Sequence, residues 1–543
     1  MDSQMTLLDW GVIVLFLIGM GMIGVLSTRL IRNTKDYFTG SGKMPWWLLG
    51  VSHHVSGYSA VAFTAYAAIA YNTGFTVYIW WAVPISFACF FGIAAIVARW
   101  SKLRTVFHFE SPLEFLRVRY DLSTQQLLAW WGVLLKVLDV GAKWVAVSLV
   151  ITTFAPGVPF WAAVLLALSL GLFYSTLGGL WAGTLTDFAM FIVQFAAGIA
   201  MFAIALGELG GVSALWTIWD RLPPGHLSPL AGEYGTWTCI LGLTIINILA
   251  YNGGTWNLAQ RYIAASDGPD AKKAAILSAS LYLVWPLILF FPMWACPLLI
   301  PNLPVEQQEQ CFSMMVIRML PTGLTGLMLA ALISHTLTMT TADATAITSV
   351  LVRDVLPQIW KKTNHFTAKQ SLLLARCITF FFMLATALVA FANASFGGIL
   401  GLVLGWFSAL IGPVSVPMIL GLLPTFKRCG VLAAHYSILF GLFTFVVIKL
   451  FPNDLFLWFQ KTAELCHVTL TPATQSDPIG IGMTILLPTL VSLFVYSAIG
   501  LLAWLCRVEQ NPQVNEFFQK LDADASSLNT NPLQKEENHE ISA

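Results

Sequence analysis

Between Ala331 and Asp354 the chain reads ALISHTLTMTTADATAITSVLVRD, and eight of the sixteen residues from Ser334 to Ser349 are Ser or Thr. Ser334, Thr338, Thr341, Thr345 and Thr348 follow at spacings of four, three, four and three, which puts five hydroxyls on one helix face. Thr336, Thr340 and Asp343 make a second polar line on roughly the opposite side. Such a helix should be enclosed or line a watery path, and it reads as a site for a small cation or a polar solute. Single hydroxyls in apolar helices often only bond back to the preceding turn, so five in register beside a carboxylate carry the argument. Three further stretches bring polar groups into apolar sequence. SHHVSGYSA, residues 52–60, holds two histidines, four hydroxyls and a glycine, and reads as a locally opened helix with free backbone carbonyls. Asn252-Gly253-Gly254 marks a second unwinding point. Lys136, Asp139 and Lys143 share one helix face and carry a net positive charge. They read either as a structural ion-pair cluster or as a subsite for an anionic group such as a carboxylate.

The surrounding sequence sets the frame for these groups. Hydrophobic residues make up 57% of the chain and charged residues 10%, where soluble domains carry about 25% charge; mean hydropathy is +0.75. This composition predicts an all-α polytopic membrane protein. A net charge of +1 offers no footprint for nucleic acid, and the eight cysteines show no metal or disulfide-scaffold spacing. Thr6–Ser27 reads as an uncleaved first span rather than a signal peptide. With about twenty apolar residues per span, thirteen transmembrane helices are expected, near 6–27, 45–72, 76–99, 124–154, 158–179, 185–208, 237–262, 272–301, 322–353, 368–394, 397–423, 429–451 and 479–505. Lys and Arg concentrate in alternate loops, among them Arg29 to Lys43, Arg99 to Arg119 and Arg353 to Lys369, which places the N-terminus outside and the C-terminus inside. Trp46–Trp47, Trp80–Trp81 and Trp130–Trp131 are expected at span ends, as interfacial rings. Broken second and seventh spans, five apart, predict two inverted five-helix repeats, spans 2–6 (about 45–208) and 7–11 (about 237–451), with a binding site at the midplane between the breaks. Residues 1–507 form the membrane domain. Residues 508–543 read as a cytosolic, acidic, mostly disordered tail with a short helix at 514–521.

Four segments in order carry a family resemblance. GKMPWWLLGVSHHVSGYSA (42–60), YSTLGGLWAGTLTDF (174–188), Gln260-Arg261-Tyr262 and LTMTTADATAITSVLVRDV (337–355) resemble the signature segments of the sodium:solute symporter family, whose members share the leucine-transporter-like inverted-repeat fold. The resemblance covers about residues 5–450 and implies a sodium site between the second and ninth spans. Its ligands would be the carbonyls of Val55, Tyr58 and His335 and the hydroxyl of Thr338, with Thr341 at a further sodium position and Asp187 on the ion's inner route. The family's second hydroxyl is Met339 here, the Asn-Gln pair before Gln-Arg is Thr255-Trp256, and the sugar-contacting glutamine falls at Ala62. These departures argue against simple transfer of hexose specificity. Candidate solute contacts are Ser56 and Ser59 in the first break, Asn252 and Trp256 in the second, and Lys136, Asp139 and Lys143.

The expectation is therefore a secondary active symporter, not an enzyme, importing a small polar organic solute with sodium by alternating access, the solute bearing a carboxylate for Lys136 and Lys143. No cofactor is expected beyond sodium as coupling ion. The expected partners are the solute, sodium and the lipid bilayer of the cell membrane (the cytoplasmic membrane in a bacterium), with no protein partner assigned. A proton-coupled transporter would use His53, His54, His335 and Asp139 or Asp343. A membrane sensor is the other rival, and the short tail speaks against it.

Overall fold

The computed structural model describes residues 5–31, 34–232, 235–392, 399, 403, 409–464 and 478–523. Among these the chain is helical, without a β-strand. The principal helices are α1 (Leu7–Ser27), α2 (Trp46–Val55), α3 (Ala65–Thr73), α4 (Val83–Ala95), α5 (Val97–Phe107), α6 (Leu122–Phe154), α7 (Phe160–Glu208), α8 (Trp237–Leu249), α9 (Trp256–Ile263), α10 (Gly268–Leu299), α11 (Leu324–Val350), α12 (Ala368–Phe391), α13 (Ala409–Leu420), α14 (Val431–Leu450), α15 (Pro452–Glu464), α16 (Gly480–Leu505) and α17 (Pro512–Asp522). Polar caps start several of them: Thr6 and Asp9 form a capping box on α1, Asp121 caps α6, and Thr367 with Gln370 boxes α12.

Nine helical stretches among the described residues are long and apolar enough to cross a membrane. The other four expected spans differ for visible reasons. The one at 45–72 is broken into α2 and α3. α6 carries three charges in its middle, and the stretch Phe160–Phe173 is short. The span at 397–423 lies partly outside the described residues. α7 joins the expected fifth and sixth spans through Gly179, whose φ of 50° and ψ of −152° are not helical.

Both expected breaks are present. α2 stops at Val55; a turn at Ser56–Gly57 and an extended Ser59 lead into a short tight turn, Ala60–Phe63, before α3. α8 stops at Leu249 and passes through a wide turn, Ala250–Gly254, before α9. Gly253 sits there at φ 118°, and a Cβ on it would meet the Trp100 indole at 2.6 Å. Glycine is required on both counts. α11, polar on two faces, is enclosed by α1, α6, α7 and α12, as such a helix must be.

The short helix expected in the tail is present as α17. α17 is docked, with Phe517 and Phe518 buried. Arg99 pairs with Asp522 at 2.7 Å, and Lys102 Nζ donates to the Leu521 and Ala523 carbonyls at 3.0 and 3.2 Å, neutralising the helix's C-terminal end. The disorder expected beyond Ala523 lies outside the described residues.

Candidate binding site

The first break is built around Tyr282 of α10. Its hydroxyl donates to the carbonyls of His53 and His54, at 3.1 and 2.8 Å, groups at the end of α2 that lose their usual i+4 donors where the helix is interrupted. A Cβ on Gly57 would lie 1.9 Å from that hydroxyl, so glycine admits the tyrosine. On the other side Thr336 of α11 accepts from the Ala60 N–H at 3.0 Å, capping the chain where it resumes. Gly57→Ala should therefore push Tyr282 off both carbonyls. The expected result is a loss of about 1–3 kcal/mol in stability, read as a lower unfolding temperature in detergent. Tyr282→Phe keeps the ring stacked on Tyr58 and should lose about 1 kcal/mol, since one hydroxyl proton is shared between the two carbonyls.

A cavity of about 100 Å³ lies between the two breaks, lined by Ser56 and Gly57 of the first and by Ala250, Tyr251 and Thr255 of the second. Tyr66, Trp80, Trp81, Lys136, Asn247, Asn257 and Met339 complete most of its wall. A larger cavity of about 550 Å³ sits at the far end of α11 among Glu114, Arg117, Arg353 and Asp354. The smaller one is the candidate site because both breaks open on it. It departs from expectation in several residues. Ser56 and Lys136 line it, whereas Ser59 instead accepts from the Val61 N–H at 3.3 Å. Asn252 spends its side-chain amide N–H groups on the Ala88 and Ile248 carbonyls, both at 2.8 Å, while its backbone carbonyl accepts from the Trp100 indole N–H at 2.7 Å. Trp256 packs into a notch at Gly132, where a Cβ would meet its ring at 2.2 Å. Both residues pin the second break rather than face the cavity. Trp80 and Trp81 are 1% and 6% exposed and form its wall, not an interfacial belt. A wide turn over Tyr78–Ala82 precedes α4 and carries the pair inward.

Asp343 corrects the expected net positive patch. Lys136 Nζ lies 3.1 Å from Asp139 and 2.8 Å from Asp343, and Lys143 Nζ lies 2.7 Å from Asp139 and 2.6 Å from Asp343. Each lysine bridges both carboxylates, so α6 and α11 are joined by a buried ring of two positive and two negative charges, net zero. The ring therefore offers no surplus positive charge to a simple anion. Lys136 is the one member on the cavity wall.

The hydroxyls of α11 divide by role. Thr338 donates to the His335 carbonyl at 3.1 Å and Thr341 to that of Leu337 at 2.7 Å, each leaving oxygen lone pairs unused. Thr345 bonds back to Thr341, and Thr348 meets Thr379 of α12 at 2.8 Å. The rings of Tyr58 and Phe63 lie 6.1 and 5.3 Å from the His335 imidazole, which sets the first break against the middle of α11. Val55 ends α2, and its carbonyl accepts from the Tyr58 N–H at 3.1 Å. Asp187 of α7 accepts from Ser52 at 2.5 Å and pairs with Arg261 of α9 at 3.4 Å, all three buried.

With this geometry in view, the comparisons with known proteins are decisive on kinship. The model of the sodium:solute symporter family matches residues 37–441. The chain belongs to the sodium:solute symporter family. It is 24% identical over 447 residues to the human sodium/iodide cotransporter, covering 78% of this chain and 67% of that one. It is 22% identical over 373 residues to the sodium/sialic acid symporter SiaT of Proteus mirabilis (strain HI4320), covering 66% and 72%. With the rabbit (Oryctolagus cuniculus) sodium/myo-inositol cotransporter 2 the figures are 22% over 479 residues, 80% and 68%. In fold, it superposes on a substrate-bound, outward-open sodium-coupled sialic acid symporter with a TM-score of 0.75 at 18% identity, covering 92% of this chain and 98% of that one.

This symporter is therefore a multi-pass membrane transporter with sodium as its coupling ion, not an enzyme. The breaks were legible as glycine and polar runs in apolar sequence. Asn247, Asn257, Tyr66 and Tyr251 escaped notice, since isolated amides and rings in apolar helices carry no spacing signal.

Proposed function

We propose that the protein imports a small polar organic solute together with sodium, the solute held in the cavity between the two broken helices. The observation that supports this most is that cavity itself, opened by both breaks and flanked by the hydroxyl-bearing α11 in a chain of this family. Sodium would take the carbonyls of Val55, Tyr58 and His335 and the hydroxyls of Thr338 and Thr341, which are hard oxygens of the right kind. Met339, at the position of the family's second hydroxyl, faces the cavity instead and offers a thioether to the solute. Asp187, neutralised by Arg261 in this arrangement, would meet sodium as it leaves inward. Met339 in that place leaves one hydroxyl fewer for sodium.

The architecture that goes with this reading has thirteen spans, the N-terminus outside, and inverted repeats over about 45–208 and 237–451 rocking around the cavity. Residues 1–507 make the membrane domain and 508–543 a cytosolic tail in a protein of the cell membrane. One sodium ion moving inward gains roughly 2.3 kcal/mol per 100 mV and about 1.4 kcal/mol per tenfold gradient. Together these support accumulation on the order of several hundredfold. The test is uptake into proteoliposomes of sugars, sialic acids, amino acids and carboxylates with and without an inward sodium gradient. Sodium should stimulate at least one of them; uptake that ignores sodium and follows a pH gradient would replace this reading with proton coupling.

A further inference from the structure

Resting on the symport reading above, we infer that the solute is a small zwitterion, its carboxylate on Lys136 and its ammonium group against the aromatic wall. Size comes first. About 100 Å³ is small against the roughly 300–1,000 Å³ of ordinary ligand pockets, so the occupant is nearer an amino acid than a sialic acid.

Charge comes second. Lys136 is the charged side chain on the cavity wall, and it already answers Asp139 and Asp343 within a ring of net zero charge. A simple anion placed on it would set a further negative group beside two buried carboxylates, with no new cation in the cavity to answer it. The candidate sodium ligands at Val55, Tyr58, His335 and Thr338 are not on the cavity wall, so sodium there would not touch such an anion directly. A zwitterion brings its own cation.

The walls complete the match. Tyr66 stands edge-on to Trp80, with centroids 5.2 Å apart at 79°, and lies 5.6 Å from Trp81 at 53°. Ring surfaces set in more than one direction are the surroundings that hold an organic ammonium group by cation–π attraction. Asn257 Oδ1 and Ser56 Oγ, both buried in residues that line the cavity, have no hydrogen-bond partner among the described residues. They can take ammonium N–H groups or stand beside their methylated equivalents. A polyol would use the hydroxyl and amides but has no need of Lys136 or of this wall.

The test is thermal unfolding of the purified full chain in detergent, read with sodium alone and then with added solutes. The zwitterions are glycine betaine and L-proline. The controls are 3,3-dimethylbutyrate (the betaine isostere without its positive charge), choline (the cation without the carboxylate), myo-inositol and N-acetylneuraminate. A zwitterion should raise the unfolding temperature further in sodium, at concentrations where its isostere and choline do not. Lys136→Gln paired with Asp139→Asn keeps the ring neutral, and should weaken the zwitterion about tenfold or more while leaving the shift from sodium alone in place. Stabilisation by inositol, N-acetylneuraminate or the isostere, with none by a zwitterion, overturns the inference and leaves the symporter standing. Absence of any sodium shift overturns the symport reading, and this inference with it.

Discussion

Asp343→Asn should be among the most damaging single changes in the protein. It leaves Lys136 and Lys143 facing one carboxylate at a site where Asp343 is fully buried and both ammonium groups are nearly so. Removing one partner from a buried charge arrangement costs roughly 3–5 kcal/mol, because the orphaned charge stays out of water. The expected result is a protein that is poorly recovered from membranes and unfolds at markedly lower temperature in detergent. Adding Lys143→Gln to the same chain restores an even count, with Lys136 and Asp139 still paired, and should recover most of the loss. Equal stability of Asp343→Asn and the parent would mean that the ring does not join α6 to α11 as described.

Thr338→Ala addresses the ion. Alanine is a good helix former, and the back-bond from Thr338 to the His335 carbonyl is a minor loss. If sodium sits where we propose, the chief consequence is one fewer hard oxygen for it. The sodium concentration for half-maximal activation of uptake should rise about tenfold or more, while Thr338→Ser, which keeps the hydroxyl, stays close to the parent. Unchanged activation in the alanine variant would move the sodium site away from this face of α11.

The fate of Asp343 shows where sequence reading stopped. Lys136, Asp139 and Lys143 are legible together because they lie within two turns of one helix. Their fourth member is some two hundred residues away, and only the packing of α6 against α11 brings it in. The breaks were legible because glycine, asparagine and hydroxyl runs contradict apolar sequence locally. Which way their side chains point was not. Asn252 and Trp256 turn from the cavity because Gly92 and Gly132 on neighbouring helices leave room for them. Trp80 and Trp81 look interfacial by position, and the wide turn before α4 makes them cavity wall. The two polar lines of α11 were legible as lines, and their uses separate only against neighbours: Thr336 caps the first break, Asp343 closes the charge ring, and Thr348 packs on α12.

The coupling itself is tested most directly by radioactive sodium entry into proteoliposomes holding the purified protein, followed as a transported solute is added outside. Solute should accelerate sodium entry, sodium should accelerate solute entry, and Thr338→Ala should weaken both together. Sodium entry indifferent to every transported solute would contradict symport through this cavity.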